Sequence, residues 1–148
     1  VVIQAGSKVD EEKPDLEHGQ LPDPEAKAIA YGFDACHYCR MTIVDQKHAA
    51  QLVTKKAKVF SFDAIECMLN HLEEIDKSSV ALYLVSDFTQ PGNLTDATEA
   101  TFLISANIPS PMGANLSAFK VYEAGKAVRD VHGGNVYSWQ ELLIHQTH

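Results

Sequence analysis

Two stripes of apolar residues with the same spacing constrain this fold more than any other feature. Phe62, Ile65, Leu69 and Leu72 are separated by 3, 4 and 3 residues, and Val121, Ala124, Val128 and Val131 repeat that spacing. A period near 3.6 places each set on one face of an α-helix. Met68 widens the first stripe and Ser61 stands where a helix cap belongs, so the spacing predicts a helix over about 61–75. The second predicted helix ends at His132-Gly133-Gly134, because glycine takes the left-handed conformation that closes a helix.

Strand-like runs surround each helix in a similar order. Thr42–Val44 and Ala49–Thr54, separated by Asp45-Gln46-Lys47, read as an antiparallel pair that lacks a tight-turn Asn-Gly signal. Val80–Val85 is a continuous apolar run and reads as a buried strand. In the second half Thr101–Ile104 and Ala118-Phe119 precede the helix and Asn135–Tyr137 follows it. Ser138-Trp139-Gln140-Glu141 is a capping box opening a short last helix through Leu142, Leu143 and Ile144. The fold expected is α+β, with two packed ββαβ halves, about 31–88 and 97–148, mostly antiparallel sheets and a short C-terminal helix. Asp87–Asp96, with Pro91-Gly92-Asn93, is the expected linker. A half of about 55 residues buries too little apolar surface to be stable alone, so the two should share one core.

Before Tyr31 the pattern is different. Residues 1–30 carry seven acids and three lysines, half of the net charge of −8, together with Pro14, Pro22 and Pro24. Apart from Val1–Ile3 they show no apolar periodicity, and the segment reads as an acidic flexible tether. The chain begins on Val, which reads as a processed or truncated form, and no apolar run approaches the roughly 20 residues that span a bilayer. A net acidic chain without a Lys/Arg cluster is a poor partner for nucleic acid. No nucleophile elbow, His-Glu-x-x-His helix or phosphate-cradling glycine loop occurs, so no catalytic constellation emerges and the chain does not read as an enzyme. Asn93-Leu94-Thr95 matches a short glycosylation sequon, which is irrelevant in a bacterium.

The chemistry sits in Asp34-Ala35-Cys36-His37-Tyr38-Cys39-Arg40-Met41. Two thiols, an imidazole and a thioether fall within six residues, and thiolate with thioether selects a soft ion such as Cu(I) over Ca²⁺ or Mg²⁺. An extended Cys39–Met41 segment would point both sulfurs to one face. Other readings compete. A thiol–disulfide oxidoreductase using Cys36 and Cys39 would want the motif at a helix N-terminus, whereas Met41-Thr42-Ile43-Val44 is a poor helix start. A structural zinc site wants four ligands, while the remaining cysteine, Cys67, falls inside a predicted helix and reads as packing. His37, His48, His71, His132 and His145 lack a ligand spacing, and His37 is the best placed of them because it lies within the motif. A Cys36–Cys39 disulfide would abolish Cu(I) binding.

Cys36-His37-Tyr38-Cys39-Arg40-Met41-Thr42-Ile43 resembles the Cys-x-x-Cys-x-Met segment of the NosL family, copper-binding accessory lipoproteins of nitrous oxide reductase assembly. The likeness continues through Phe62–Leu69, Ser110-Pro111-Met112-Gly113, Ala118-Phe119 and Gly133–Tyr137, covering roughly 31–145. It implies two ββαβ halves, related in topology to organomercurial lyase. It also implies an extracytoplasmic, periplasm-facing Cu(I) chaperone with a lipid-bearing N-terminal cysteine absent from this chain, residues 1–30 being the spacer. The implied partner is a membrane ABC-type assembly complex and, through it, nitrous oxide reductase. By position, Cys39 and Met41 match the ligand pair and Met112 a third ligand, with Cys36 and His37 as subsidiary candidates. Arg40 stands where the family often has Gly.

Overall fold

The computed structural model describes residues 22–146. Residues 1–21, most of the expected tether, lie outside the described residues. The later part of that segment rests on the folded unit. The buried Gln51 side chain accepts from the Lys27 amide at 2.9 Å and donates to its carbonyl at 2.7 Å, and Ile29 joins the core.

The first sheet is built from β1 (Ala50–Thr54), β2 (Val59–Phe62), β3 (Val80–Asp87) and β4 (Gln90–Asp96), in the order β2-β1-β3-β4. Helix α1 (Ile65–Leu72) joins β2 to β3. The second sheet contains β5 (Thr101–Ile104), β6 (Leu116–Phe119) and β7 (Asn135–Ser138), in the order β6-β5-β7, with α2 (Tyr122–His132) joining β6 to β7. A short helix, α3 (Trp139–Gln146), closes the described chain. All pairings are antiparallel. In each half the first strand is central, flanked by the second and by the strand after the helix. The twofold ββαβ pattern therefore holds, with β4 added to the first half.

That added strand occupies the expected linker. Gln90–Asp96 pairs with β3, Leu84 opposite Asp96 and Ser86 opposite Leu94. It is an exposed edge, where Pro91 removes no needed ladder bond. The first hairpin also differs from expectation. Ala50–Thr54 pairs with Val59–Phe62, Leu52 opposite Phe60, and not with Thr42–Val44. The turn between them places Ala57 at φ +66° without a glycine to announce it. Ser61 and Phe62 are thus strand residues, and α1 begins at Ile65. Phe62 fits the helical spacing because it enters the same core from the preceding strand.

One core spans both halves. Leu52, Phe62, Ile65 and Met68 of the first pack with Phe102 and Leu116 of the second, each removed from water; a fully buried side chain of this size contributes about 1.5–3 kcal/mol. Trp139 bridges the sheets, with ring centroids 5.5 Å from Tyr83 and 5.8 Å from Phe102. A smaller cluster, Leu103, Ile108 and Phe119, lies under Ala124 and Val128 of α2. The outer members of that helix's stripe, Val121 and Val131, stay exposed. The helix sits close because Gly125 has no Cβ; one would lie 3.1 Å from Thr101 Cγ2. The capping box of α3 forms reciprocally: Glu141 N–H donates to Ser138 Oγ at 3.2 Å, and Ser138 N–H donates to Glu141 Oε1 at 2.8 Å. Among the described residues no helix is long and apolar enough to cross a membrane.

Candidate metal centre

The motif folds as a small hairpin tip. Ala35 and Thr42 form a bridge, Cys36 N–H donates to the Met41 carbonyl at 2.7 Å, and Arg40 N–H donates to the Cys36 carbonyl at 3.0 Å. His37-Tyr38-Cys39 makes the turn, and Arg40 takes φ +72°. Arg40 thus adopts the left-handed conformation that glycine reaches without strain. Because Arg40 breaks the extended path, alternation along a strand does not describe how Cys39 and Met41 are disposed.

The tip packs against the start of α1. Asp63 lies just before the Ala64 cap position, and no side chain caps this helix. The Asp63 carboxylate instead accepts from Cys39 Sγ at 3.4 Å and Cys67 Sγ at 3.3 Å. Cys39 N–H donates to Cys36 Sγ at 3.4 Å. Donor atoms of Cys36, Cys39, Asp63 and Cys67 all lie within 4.8 Å of one another. Cys36, Asp63 and Cys67 are buried and Cys39 is half-buried, so Cys39 faces outward.

This packing splits the thiols electrostatically. A hydrogen bond donated by Cys67, with backbone amides in support and burial opposing, pulls the Cys36 thiol down to about 5. The same bond, then burial and the Asp63 carboxylate, holds Cys67 far above the usual thiol range. Burial, against the Met41 backbone and together with the hydrogen bond and charge of Cys36 and the hydrogen bond to Asp63, pushes Cys39 upward. Of the three thiols, Cys36 is thus the one whose surroundings favour the thiolate, and it is shielded from solvent.

The sequence-derived candidates divide by position. Cys36 and Cys39 lie in the cluster. Met41 is 62% exposed beside it in the chain, and Met112 is 49% exposed on a separate turn. That turn is tied to α1 one residue from Cys67. Glu66 Oε2 accepts from Ser110 Oγ at 2.6 Å and from Ala114 N–H at 3.1 Å. His37 lies half-buried against Phe60 and His71, with ring centroids 4.3 and 4.8 Å away. Desolvation, then the His71, Arg40 and Lys58 charges, lowers its pKa, so near neutrality it is a neutral imidazole. Two further histidines are engaged elsewhere. His48 bridges Asp45 at 2.9 Å and Ser117 at 3.0 Å, linking the halves, and the His145 ring stacks near Tyr137. Sequence reasoning missed Asp63 and took Cys67 for packing. Their i,i+4 spacing, which puts both on one face at the helix start, was the available signal.

A family model described as NosL matches residues 31–146. A curated relative, the copper-binding lipoprotein NosL of Stutzerimonas stutzeri, is 29% identical over 117 residues, covering 74% of this chain and 62% of the relative. The chain thus spans less than two thirds of that relative's length. Among solved structures, the copper chaperone NosL from Shewanella denitrificans superposes with a TM-score of 0.71 at 25% identity, covering 81% of this chain and 96% of that one. Both relatives are named for copper binding and not for catalysis.

Proposed function

We propose that this chain, which belongs to the NosL family, is an extracytoplasmic Cu(I) chaperone. It holds one ion through Cys39 and Met41, with Met112 as third ligand and Cys36 and His37 as subsidiary donors. The reading is carried by the placement of the half-buried Cys39 thiol at a tight turn, two residues before the exposed Met41. The anchoring of the Met112 turn on the helix that bears Cys67 supports it. One thiolate with neutral thioethers is soft enough to select Cu(I) and weak enough to release it by ligand exchange.

Delivery goes to the periplasmic face of a membrane ABC-type assembly complex, which uses the ion to build the copper centres of nitrous oxide reductase. A lipid anchor keeps the protein at that membrane, as the word lipoprotein says of the Stutzerimonas relative. The test is reconstitution: Cu(I)-loaded chain, the assembly complex and copper-free reductase are combined, and copper-centre absorbance is followed. Loaded wild type should restore the absorbance and Met41→Leu should not; equal restoration by free Cu(I) chelate refutes delivery.

A thiol–disulfide oxidoreductase is the second reading, favoured by the low pKa of Cys36. Against it, Cys36 is 0% exposed, and a thiol that attacks substrate disulfides must be reachable.

A further inference from the structure

Residues 22–30, which lead into the Cys36–Met41 loop, form no regular secondary structure, and of their side chains only that of Ile29 is buried. We propose that this segment is a releasable strap. Seated on the first sheet, it holds the base of the loop that carries Cys39 and Met41; lifted, it loosens that loop and speeds the ion's departure. The effect on the ion rests on the chaperone reading, and the coupling of strap to loop does not.

Ile29 and Gln51 seat the strap. Ile29 enters the shared core. Gln51, on the central strand β1 and fully removed from water, clasps the Lys27 backbone at both its amide and its carbonyl. The same Gln51 amide group donates to Ser61 Oγ at 3.2 Å, and the Ser61 carbonyl accepts from the His37 N–H of the loop at 2.8 Å. Around these holds the fit is loose. Two clefts border Lys27-Ala28, one of about 430 Å³ shared with Lys120 and β4, the other of about 230 Å³ shared with His37 and β2. A segment with one buried side chain and open space beside it belongs to the low-stability end of a fold, where local opening is frequent. The residue on the sheet also suits a reversible contact. An apolar side chain at position 51 would meet water each time the strap lifted, whereas glutamine exchanges the strap's backbone for water.

Release reaches the loop through the chain itself. Ala30 N–H donates to the Asp34 carboxylate at 2.9 Å, and the Ala30 carbonyl accepts from the Phe33 and Asp34 amides at 3.0 and 2.9 Å. The turn between strap and loop therefore closes on Ala30. Beyond it, Gly32 N–H donates to the Ile43 carbonyl and Ile43 N–H donates to the Asp34 carbonyl, both at 2.8 Å, pairing the two arms of the loop's base. Lifting Ile29 carries Ala30 with it, opens that turn and frays the base, so Cys39 and Met41 lose their fixed separation. Coupling requires two states that hold the ion differently, and the seated and lifted strap supply them. Residues 1–21 join the loop through this strap, so a pull on them acts at its base.

Amide-resolved hydrogen exchange of the reduced, metal-free chain tests the coupling, and the rate at which a Cu(I) chelator strips the loaded chain tests its effect on the ion. In the wild type the Lys27, Gly32, His37 and Ile43 amides should exchange as one group, at least about tenfold faster than the Phe102 and Leu103 amides of β5. Gln51→Leu removes the clasp at similar volume, and Ile29→Ala frees the strap without altering the sheet, which keeps the test decisive should Gln51→Leu fail to fold. Each should speed exchange of the whole group at least about tenfold and copper stripping at least about fivefold. Gly134→Ala, whose added Cβ meets the Ile104 carbonyl far from the strap in sequence, is the control for lost stability alone. Faster exchange at Lys27 with Gly32, His37 and Ile43 unchanged overturns the coupling, as do loop amides that open only together with β5. Stripping unchanged in both strap variants, or accelerated equally by Gly134→Ala, overturns the effect on the ion. A wild-type chain that binds no Cu(I) refutes the chaperone reading and the claim about ion release with it, while the exchange data still decide the coupling.

Discussion

Glu66→Ala should destabilise the protein by about 3 kcal/mol and weaken Cu(I) binding without removing a ligand. Glu66 is 5% exposed, and its Oε2 accepts from both the Ser110 hydroxyl and the Ala114 amide. Ser110 Oγ in turn accepts from Asn115 N–H at 2.9 Å, so the whole turn carrying Met112 hangs from this carboxyl group. Alanine leaves both donors without a partner. A buried orphaned donor costs about 1–3 kcal/mol. The buried Ser110 falls mid-range at about 2, and the part-buried Ala114, which water can reach, at about 1. With a urea slope of about 2 kcal/mol/M, the denaturation midpoint should fall by roughly 1.5 M. Glu66→Gln keeps an acceptor oxygen and should lose less than half of that. Copper competition on the alanine variant should show roughly tenfold weaker binding, the scale typical of groups that position metal ligands. A midpoint shift under about 0.5 M refutes the energetic argument. Unchanged Cu(I) affinity, with Met112→Leu weakening it, refutes the claim that Glu66 positions the third ligand.

Gly134→Ala should unfold at markedly lower temperature, because the added Cβ would meet the Ile104 carbonyl at a φ of +108°; a loss of about 3 kcal/mol or more is expected. Gly32→Ala, at φ +87° but with nothing within 4 Å, should cost only about 1–2 kcal/mol. Equal melting shifts for the two would refute the role of the close approach. Titrating the thiolate absorbance of reduced, metal-free protein should show a step near pH 5 from Cys36, and Cys67→Ala should move it toward the ordinary thiol range. The folded value lies below the unfolded one, so the stability from Cys36 is full above the unfolded thiol range and lost as pH falls through about 5. Cys36→Ser should therefore flatten the rise of stability with pH, and an unaltered slope contradicts the assignment.

What the sequence revealed was local. The apolar stripes located α1 and α2, the run Val80–Val85 located β3, and the capping box located α3, because each is written within one turn or one strand. Strand β2 was hidden because Phe62 satisfies a helical period while serving a strand, and because the left-handed Ala57 carries no glycine signal. Strand β4 was hidden because an exposed edge tolerates Pro91-Gly92-Asn93, residues that elsewhere mark a loop. The same boundary runs through the site. Cys36, Cys39 and Met41 lie in one short motif, whereas Asp63 reaches Cys39 across 24 residues, through packing of the motif loop on α1. The His37–His71 contact likewise exists only once that loop is seated.

The most direct test of Cu(I) capture by a thiolate–thioether set is an anaerobic Cu(I) competition titration of the reduced protein with its single-residue variants. The account predicts one Cu(I) per chain, loss of binding in Cys39→Ser, clear weakening in Met41→Leu and Met112→Leu, and a smaller effect in Cys36→Ser. Met41→Leu and Met112→Leu proteins that bind Cu(I) as tightly as wild type, with Cys36→Ser abolishing dithiol reactivity, would contradict it.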